Sequence, residues 1–312
     1  MLKGSVRAAL SATVLAVTTG AVGLVGAVPA AAGQLTVVNC DGDPVALQPA
    51  IDSAAPRATL LVSGTCTGPF TITKDLTLTG LEPAVLDGNH AGSTVTVTGA
   101  VRVRLDSLTI TNGTGGNGGG IHNNGGTLEL NGSTVEHNTA GPGGGIYNNV
   151  NSTVTVTGST VRSNTSHSGG GIINFGTVRL TSSIVEHNTS TIDGGGIYNN
   201  FDSTVTLSGS TVRNNEAARS GGGIYNIFNS TVTLSGSTMR DNTAGVDGGG
   251  IWNDINSTVR LTGSTVRDNT AGIDGGGIWN NDDSTVTLTG STVRNNRPDN
   301  CGGSAPVPGC TG

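Results

Sequence analysis

The chain has 312 residues, 52 of them glycine, with 34% hydrophobic, 3% aromatic and 12% charged residues and a formal net charge of −6. Sparse and predominantly acidic charge disfavours a nucleic-acid or anionic-membrane partner, because phosphate-bearing surfaces reward clustered Lys and Arg.

Residues 1–32 place Lys3 and Arg7 ahead of an uncharged Ala/Val/Leu/Gly run that closes on Ala30-Ala31-Ala32, the order of an export signal and its small-residue cleavage site. Pro29 and the high Ala, Gly and Thr content argue against a retained anchor. The expectation is a secreted, extracellular protein beginning at Gly33, with no membrane insertion after signal removal. Losing Lys3 and Arg7 leaves 13 basic against 21 acidic residues.

Next comes Asp43-Pro44, a helix start signal, followed by helically spaced Val45, Ala46 and Ala50. Ala58 to Val62, Phe70 to Ile72, Leu76 to Gly80 and Val101 to Ile110 are runs of β-formers.

From residue 114 the chain repeats. GGGI recurs with its Ile at 121, 146, 172, 197, 224, 251 and 278, in steps of 25, 26, 25, 27, 27 and 27 residues, which signals a solenoid. One unit reads Gly221-Gly222-Gly223-Ile224-Tyr225-Asn226, then Ser230-Thr231-Val232-Thr233-Leu234, then Ser237-Thr238-Met239-Arg240-Asp241-Asn242. These are three short β-runs separated by Gly, Asn and Ser, none long enough for an ordinary helix. Alternation sends Val232 and Leu234 to a core face and Thr231 and Thr233 to a wet one. Three strands per unit make a triangular coil, and stacking pairs each strand in parallel with its copy about 4.8 Å away.

Two Asn positions recur in every unit: Asn123, Asn148, Asn174, Asn199, Asn226, Asn253 and Asn280, and Asn138, Asn164, Asn188, Asn215, Asn242, Asn269 and Asn296. Stacked amides can hydrogen-bond along a column and tolerate left-handed corners, so both columns read as structural ladders. The Gly triplets fit tight corners, and neither GK[ST] nor a helix follows them, unlike a phosphate-binding loop.

On these features the chain resembles the right-handed parallel β-helix proteins of the pectin-lyase-like superfamily, from Asp43 to Cys310. The resemblance implies an all-β, single-domain solenoid with about seven regular three-strand coils. Residues 33–113 would form an N-terminal cap, with a short capping helix, and irregular first coils; residues 114–296 the GGGI coils; and residues 297–312 a disulfide-pinned C-terminal cap. GGGI and N-T-A also resemble the repeats of polymorphic outer-membrane adhesins. That match is partial, because Val161, Val212 and Val266 stand where that family has Phe. Four Cys allow three pairings; in an exported chain disulfides are favoured over metal ligation, and proximity favours Cys40 with Cys66 and Cys301 with Cys310.

Superfamily relatives include lyases, hydrolases and epimerases, yet fold does not confer function. A polygalacturonase-like NTD, DD, GHG and RIK set is represented only by Asp282-Asp283, and an epimerase-like DPHD is absent. Sugar acid/base chemistry needs two carboxylates across a cleft, and lyase chemistry a base beside a cation. The candidates are Asp247 and Asp274, one repeat apart, with Asp193 in the same column beyond Ser220. Such carboxylates should raise one pKa or bind Ca²⁺, and no other cofactor is implied. Asp241 and Asp268 follow Arg240 and Arg267, which would neutralise them, and His137 and His187 lie two coils apart.

The residue after each GGGI Ile forms the column His122, Tyr147, Ile173, Tyr198, Tyr225, Trp252 and Trp279, which holds every Tyr and Trp of the chain. With the Ile inward, alternation turns this residue outward, so Tyr198, Tyr225, Trp252 and Trp279 form four consecutive aromatic rungs that could bind sugar rings or simply stabilise the coils by stacking. Thr127, Thr153, Thr177, Thr204, Thr231, Thr258 and Thr285 form an outward column of the kind seen in ice-binding β-helices, but Glu129, Arg179 and Arg260 interrupt its second rank. The sequence reading is a secreted non-catalytic binding or adhesion β-helix, with a polysaccharide or cell-surface partner and carbohydrate favoured. A polysaccharide lyase and a purely structural surface protein are the alternatives.

Overall fold

The computed structural model describes residues 35–311. The export-signal segment, residues 1–32, lies outside the described residues. Thirty-five short strands and one helix form a parallel solenoid whose strands assemble into sheets of 19, 10 and 6 strands. Strands pair in parallel with their counterparts in adjacent coils: Ile224, Tyr225 and Asn226 sit over Ile197, Tyr198 and Asn199, and under Ile251, Trp252 and Asn253.

A regular coil has one more strand than expected. Thr231–Ser235 and Thr238–Arg240 both belong to the large sheet, kinked at Gly236, whose φ is +55°. The third side of the triangle is the short N-T-A segment, such as Thr243–Ala244 or Thr270–Ala271. Two residues are too few to show a β-period, which is why this strand is silent in the sequence. The capping helix spans Leu47–Ser53, later than its Asp43-Pro44 signal, which forms a turn in which Val45 N–H reaches Asp43 Oδ1 at 3.2 Å. Its buried face is Leu47 and Ile51, whereas Val45 is exposed.

Inside, the seven GGGI isoleucines are fully buried with the Val and Leu of the large sheet. Fully burying each such side chain stabilises by about 1.5–3 kcal/mol. The two Asn columns run through this apolar interior as continuous amide ladders. Asn199 Nδ2 donates to Asn226 Oδ1 and Asn226 Nδ2 to Asn253 Oδ1, both at 2.8 Å, and Asn215, Asn242 and Asn269 repeat the arrangement at 2.9–3.0 Å. The first ladder starts abruptly: Asn123 sits over Val97, and its Oδ1 is buried without a partner among the described residues. The second is closed by Asn300, whose Oδ1 accepts from both the backbone and the side-chain nitrogen of Asn296.

Glycine is required where coils approach most closely. Gly221 has φ +69°, and a Cβ on Gly222 would lie 2.4 Å from the Thr243 carbonyl oxygen. Disulfides join Cys40 to Cys66 and Cys301 to Cys310, pinning the two ends. Among the described residues no helix is long and apolar enough to cross a membrane.

Candidate functional site

The expected aromatic column exists, but its rings do not offer their faces to solvent. Tyr198, Tyr225, Trp252 and Trp279 stack with centroids 4.8, 4.2 and 5.1 Å apart and interplanar angles of 22°, 3° and 5°. Strands in register 4.8 Å apart put equivalent rings at stacking distance, so the facing surfaces of adjacent rings are covered and only the outer faces of Tyr198 and Trp279, next to Ile173 and Gly302, have no ring partner in the column. Tyr225 and Trp252 are buried at 7% and 9% exposure, which corrects the expectation of an exposed platform; Tyr198 and Trp279 are half-buried. Burial, with smaller help from Asp193, pushes the Tyr198 phenol up to about 12, and Tyr225 is raised further by the same cause.

A second ladder beside it was not anticipated. At the corner after the Asn, Phe201 and Phe228 stack at 4.9 Å and 6°, and Phe175 continues the column at 6.2 Å. Phe228, Ile255 and Ile227 pack against Tyr198, Tyr225, Trp252 and Trp279, giving an aromatic strip two columns wide outside the main core. Phe201, Phe228 and Ile255 hold left-handed φ values of 50–55°, a costly conformation for bulky residues that the stacking and ladder hydrogen bonds must offset. These residues are scattered and of mixed type in the sequence; aligning the repeats on their Asn would have revealed them.

The corner itself varies. Between Asn and the next Thr there are four residues in most coils, as in Asn149-Val150-Asn151-Ser152 and Asn200-Phe201-Asp202-Ser203, but only Phe175-Gly176 in the coil between them. Those two missing residues account for the 25-residue step from Ile172 to Ile197, against 27 in the coils that follow. The shortened corner opens a notch of about 410 Å³ whose walls are Val150 and Phe201, 54% and 55% exposed, and whose floor is Phe175 and Gly176. Asn151 and Asp202 stand at its rim, and Thr153, Thr177 and Thr204 line one side.

The acidic column stacks as the repeat spacing expects, Asp193 beside Ser220 and Asp247 beside Asp274, with Asp299 of the cap added at its end. Asp193 is buried, accepts the Ser220 N–H at 3.1 Å and lies 4.0 Å from Arg219 Nε; burial raises its pKa against both influences. Asp247 and Asp274 are adjacent across a parallel bridge, and burial, then the charge of Asp274, raises Asp247. Asp274 accepts backbone N–H groups from Gly275 at 2.9 Å and Gly303 at 2.8 Å. Its further neighbour is Asp299, a residue of the C-terminal cap that the repeat spacing could not place. Burial and then the hydrogen bond and charge of Asp274 raise Asp299, which itself accepts from Gly276 N–H at 3.2 Å. Asp274 and Asp299 thus supply acceptors that the next coil would have supplied. Among the described residues no group of three or more His, Cys, Asp or Glu is placed to hold a metal ion.

Several of the remaining charges are paired. Arg162 with Glu136 and Arg213 with Glu186 meet at 2.6 Å, and Arg240 and Arg267 each hold the adjacent Asp241 and Asp268. His137 and His187 lie within 3.9 and 3.7 Å of Glu136 and Glu186.

The family described as a right-handed beta helix region matches residues 144–306, a stretch that holds most of the GGGI coils. The chain belongs to this right-handed β-helix family. Among solved structures, the crystal structure of pectate lyase Pel9A is similar to the β-helix with a TM-score of 0.57 over 84% of this chain and 79% of that chain, at 16% identity, a likeness of fold. No curated protein matches the sequence.

Proposed function

We propose that this β-helix is a secreted, non-catalytic carbohydrate-binding protein and that the notch at the shortened corner is its contact site. The observation that carries the reading is the interruption itself: duplication would extend the corner column unbroken, and instead two residues are missing where a concave surface forms beside the exposed ring of Phe201. A volume of about 410 Å³ is within the range of small-ligand sites. Between its stacks with Phe228 and Phe175 the Phe201 side chain is still 55% exposed, and this apolar surface beside threonine hydroxyls and a carboxylate suits a sugar, which presents an apolar face and a polar rim. Against catalysis, Asp274 and Asp299 are engaged in capping backbone N–H groups, and Asp241 and Asp268 in arginine pairs. The signal segment and two disulfides support secretion.

The test is retention and product release on a panel of neutral and acidic polysaccharides, with and without Ca²⁺, for the mature protein and Phe201→Ala. Retention that falls in the variant, without new reducing or unsaturated ends, is the expected result. Unsaturated products would favour the lyase reading, and indifference to every polymer would favour a purely structural surface protein.

A further inference from the structure

The notch lacks one specific chemical group. In the coils beyond it, the corner peptide groups form a column of their own: Asp202 N–H donates to the Phe228 carbonyl at 2.9 Å, and Asn229 N–H, on the other end of that same peptide group, donates to the Ile255 carbonyl at 3.0 Å. The Phe228–Asn229 rung is therefore a single secondary amide that accepts from the coil before and donates to the coil after. Asn151 occupies the equivalent donor position on the near wall of the notch, and Phe201 the equivalent acceptor position on the far wall. Among the described residues neither the Asn151 N–H nor the Phe201 carbonyl has a hydrogen-bond partner, because the coil between them has no corner amide to offer.

The two groups stand on corners two coils apart, a gap that the Phe228–Asn229 peptide group fills between Asp202 and Ile255. Groups on either side of the opening are already paired: Phe175 N–H with the Asn148 carbonyl, Thr177 N–H with the Ser152 carbonyl, and the Gly176 carbonyl with Thr204 N–H, at 2.9–3.0 Å. An extended peptide, which needs a run of donors and acceptors, finds only one open rung. The vacancy suits an isolated amide attached to something that packs on Val150 and Phe201 and meets hydroxyls at Thr153, Thr177 and Thr204.

We infer that the notch binds an N-acetylated hexosamine unit. Its acetamido carbonyl accepts from Asn151 N–H, its acetamido N–H donates to the Phe201 carbonyl, and its ring lies against the Phe201 side chain. This deepens the carbohydrate-binding reading and rests on it. Because the notch is open to solvent, selectivity for the amide is set by the net worth of the two hydrogen bonds.

The experiment is titration of the mature protein with β-linked trimers of N-acetylglucosamine and N-acetylgalactosamine, against their neutral counterparts without the acetamido group and against N-acetylglycine methylamide as a peptide probe. Binding is read by calorimetry and by the backbone amide resonance of Asn151. An acetylated trimer is expected to shift the Asn151 resonance and to bind about 30-fold more tightly than its counterpart, the ratio that two ordinary hydrogen bonds supply. Inserting two residues between Phe175 and Gly176, which gives this coil the corner length of its neighbours, should abolish binding while leaving the melting temperature unchanged or raised. Phe201→Ala, which leaves the chain length alone, should weaken binding in the same direction.

Equal binding of acetylated and plain trimers would overturn the amide inference and leave the carbohydrate reading standing. Preference for the peptide probe would overturn it in favour of a peptide ligand. Binding of none of them would overturn the inference, and the polysaccharide panel decides the broader reading separately.

Discussion

The coils from Ile197 onward and the coil at Ile172 share the same core, the same Asn ladders and the same sheet register, but differ by two corner residues. In the long coils from Ile197 onward outward features meet their copies: Tyr225 on Trp252, Phe201 on Phe228, the Asp202 N–H on the Phe228 carbonyl, Ser203 on Ser230. In the short coil the copy is absent, and apolar surface and backbone hydrogen-bonding groups are left open. The difference teaches that in a repeat array regularity reports stability, while departures from it are where a ligand can enter.

Four substitutions test that division. The largest effect should come from within the regular ladder. Asn226→Ala removes the acceptor of Asn199 Nδ2 and the donor to Asn253 Oδ1, leaving two buried amides partly unpaired. At about 1–3 kcal/mol per unsatisfied group, the loss should be about 2–6 kcal/mol. Denaturant unfolding measures it, and a loss below about 1 kcal/mol would show the ladder to be incidental.

Trp252→Ala comes next. It deletes stacking on both Tyr225 and Trp279, worth about 0.5–1.5 kcal/mol per pair, so about 1–3 kcal/mol of stability should go while polysaccharide retention stays as in the parent. Retention lost in proportion to Trp252 rather than Phe201 would move the binding surface back to the Tyr/Trp column. Phe201→Ala should do the reverse, abolishing retention while costing about 1 kcal/mol or so through the Phe228 stack.

The smallest effect belongs to the C-terminal acids. Asp247 and Asp299 have raised pKa values, so between the ordinary carboxylate range and the raised value the folded chain binds more protons than the unfolded one. Their contribution to stability is present below that range and lost as pH rises through the raised values. Asp299→Asn keeps an acceptor for Gly276 N–H and removes the titration, so melting temperatures measured from pH 4 to pH 8 should fall less steeply with pH in the variant. An unchanged slope would mean Asp299 is not a source of the pH dependence.

How much of this was legible in the sequence follows from what repeats. Seven copies of GGGI and two Asn columns specify coil, register and ladder, because a period of 25–27 residues leaves one way to stack them. The pairing of Cys40 with Cys66 and Cys301 with Cys310 was also the favoured one. Outward direction of Tyr198 to Trp279 followed from alternation, but their burial did not, because it depends on Phe228 and Ile255 arriving from a corner whose left-handed conformation has no marker in those residue types. Asp299 was invisible for a related reason: it lies beyond the last repeat and reaches Asp274 only through the fold of the cap. The notch was written in the spacing as a step of 25 beside steps of 27, yet a length difference carries no direction until the corner is seen to be where it falls.

Because each Asn passes its hydrogen bond to the Asn of the next coil and only Asn300 brings the second column to a stop, any interior joint is interchangeable with any other. A 27-residue unit excised or duplicated between Ile224 and Ile251 would meet the same neighbours on both sides. The molecule is thus a ruler that can be lengthened in increments of about 4.8 Å without touching the notch or either end.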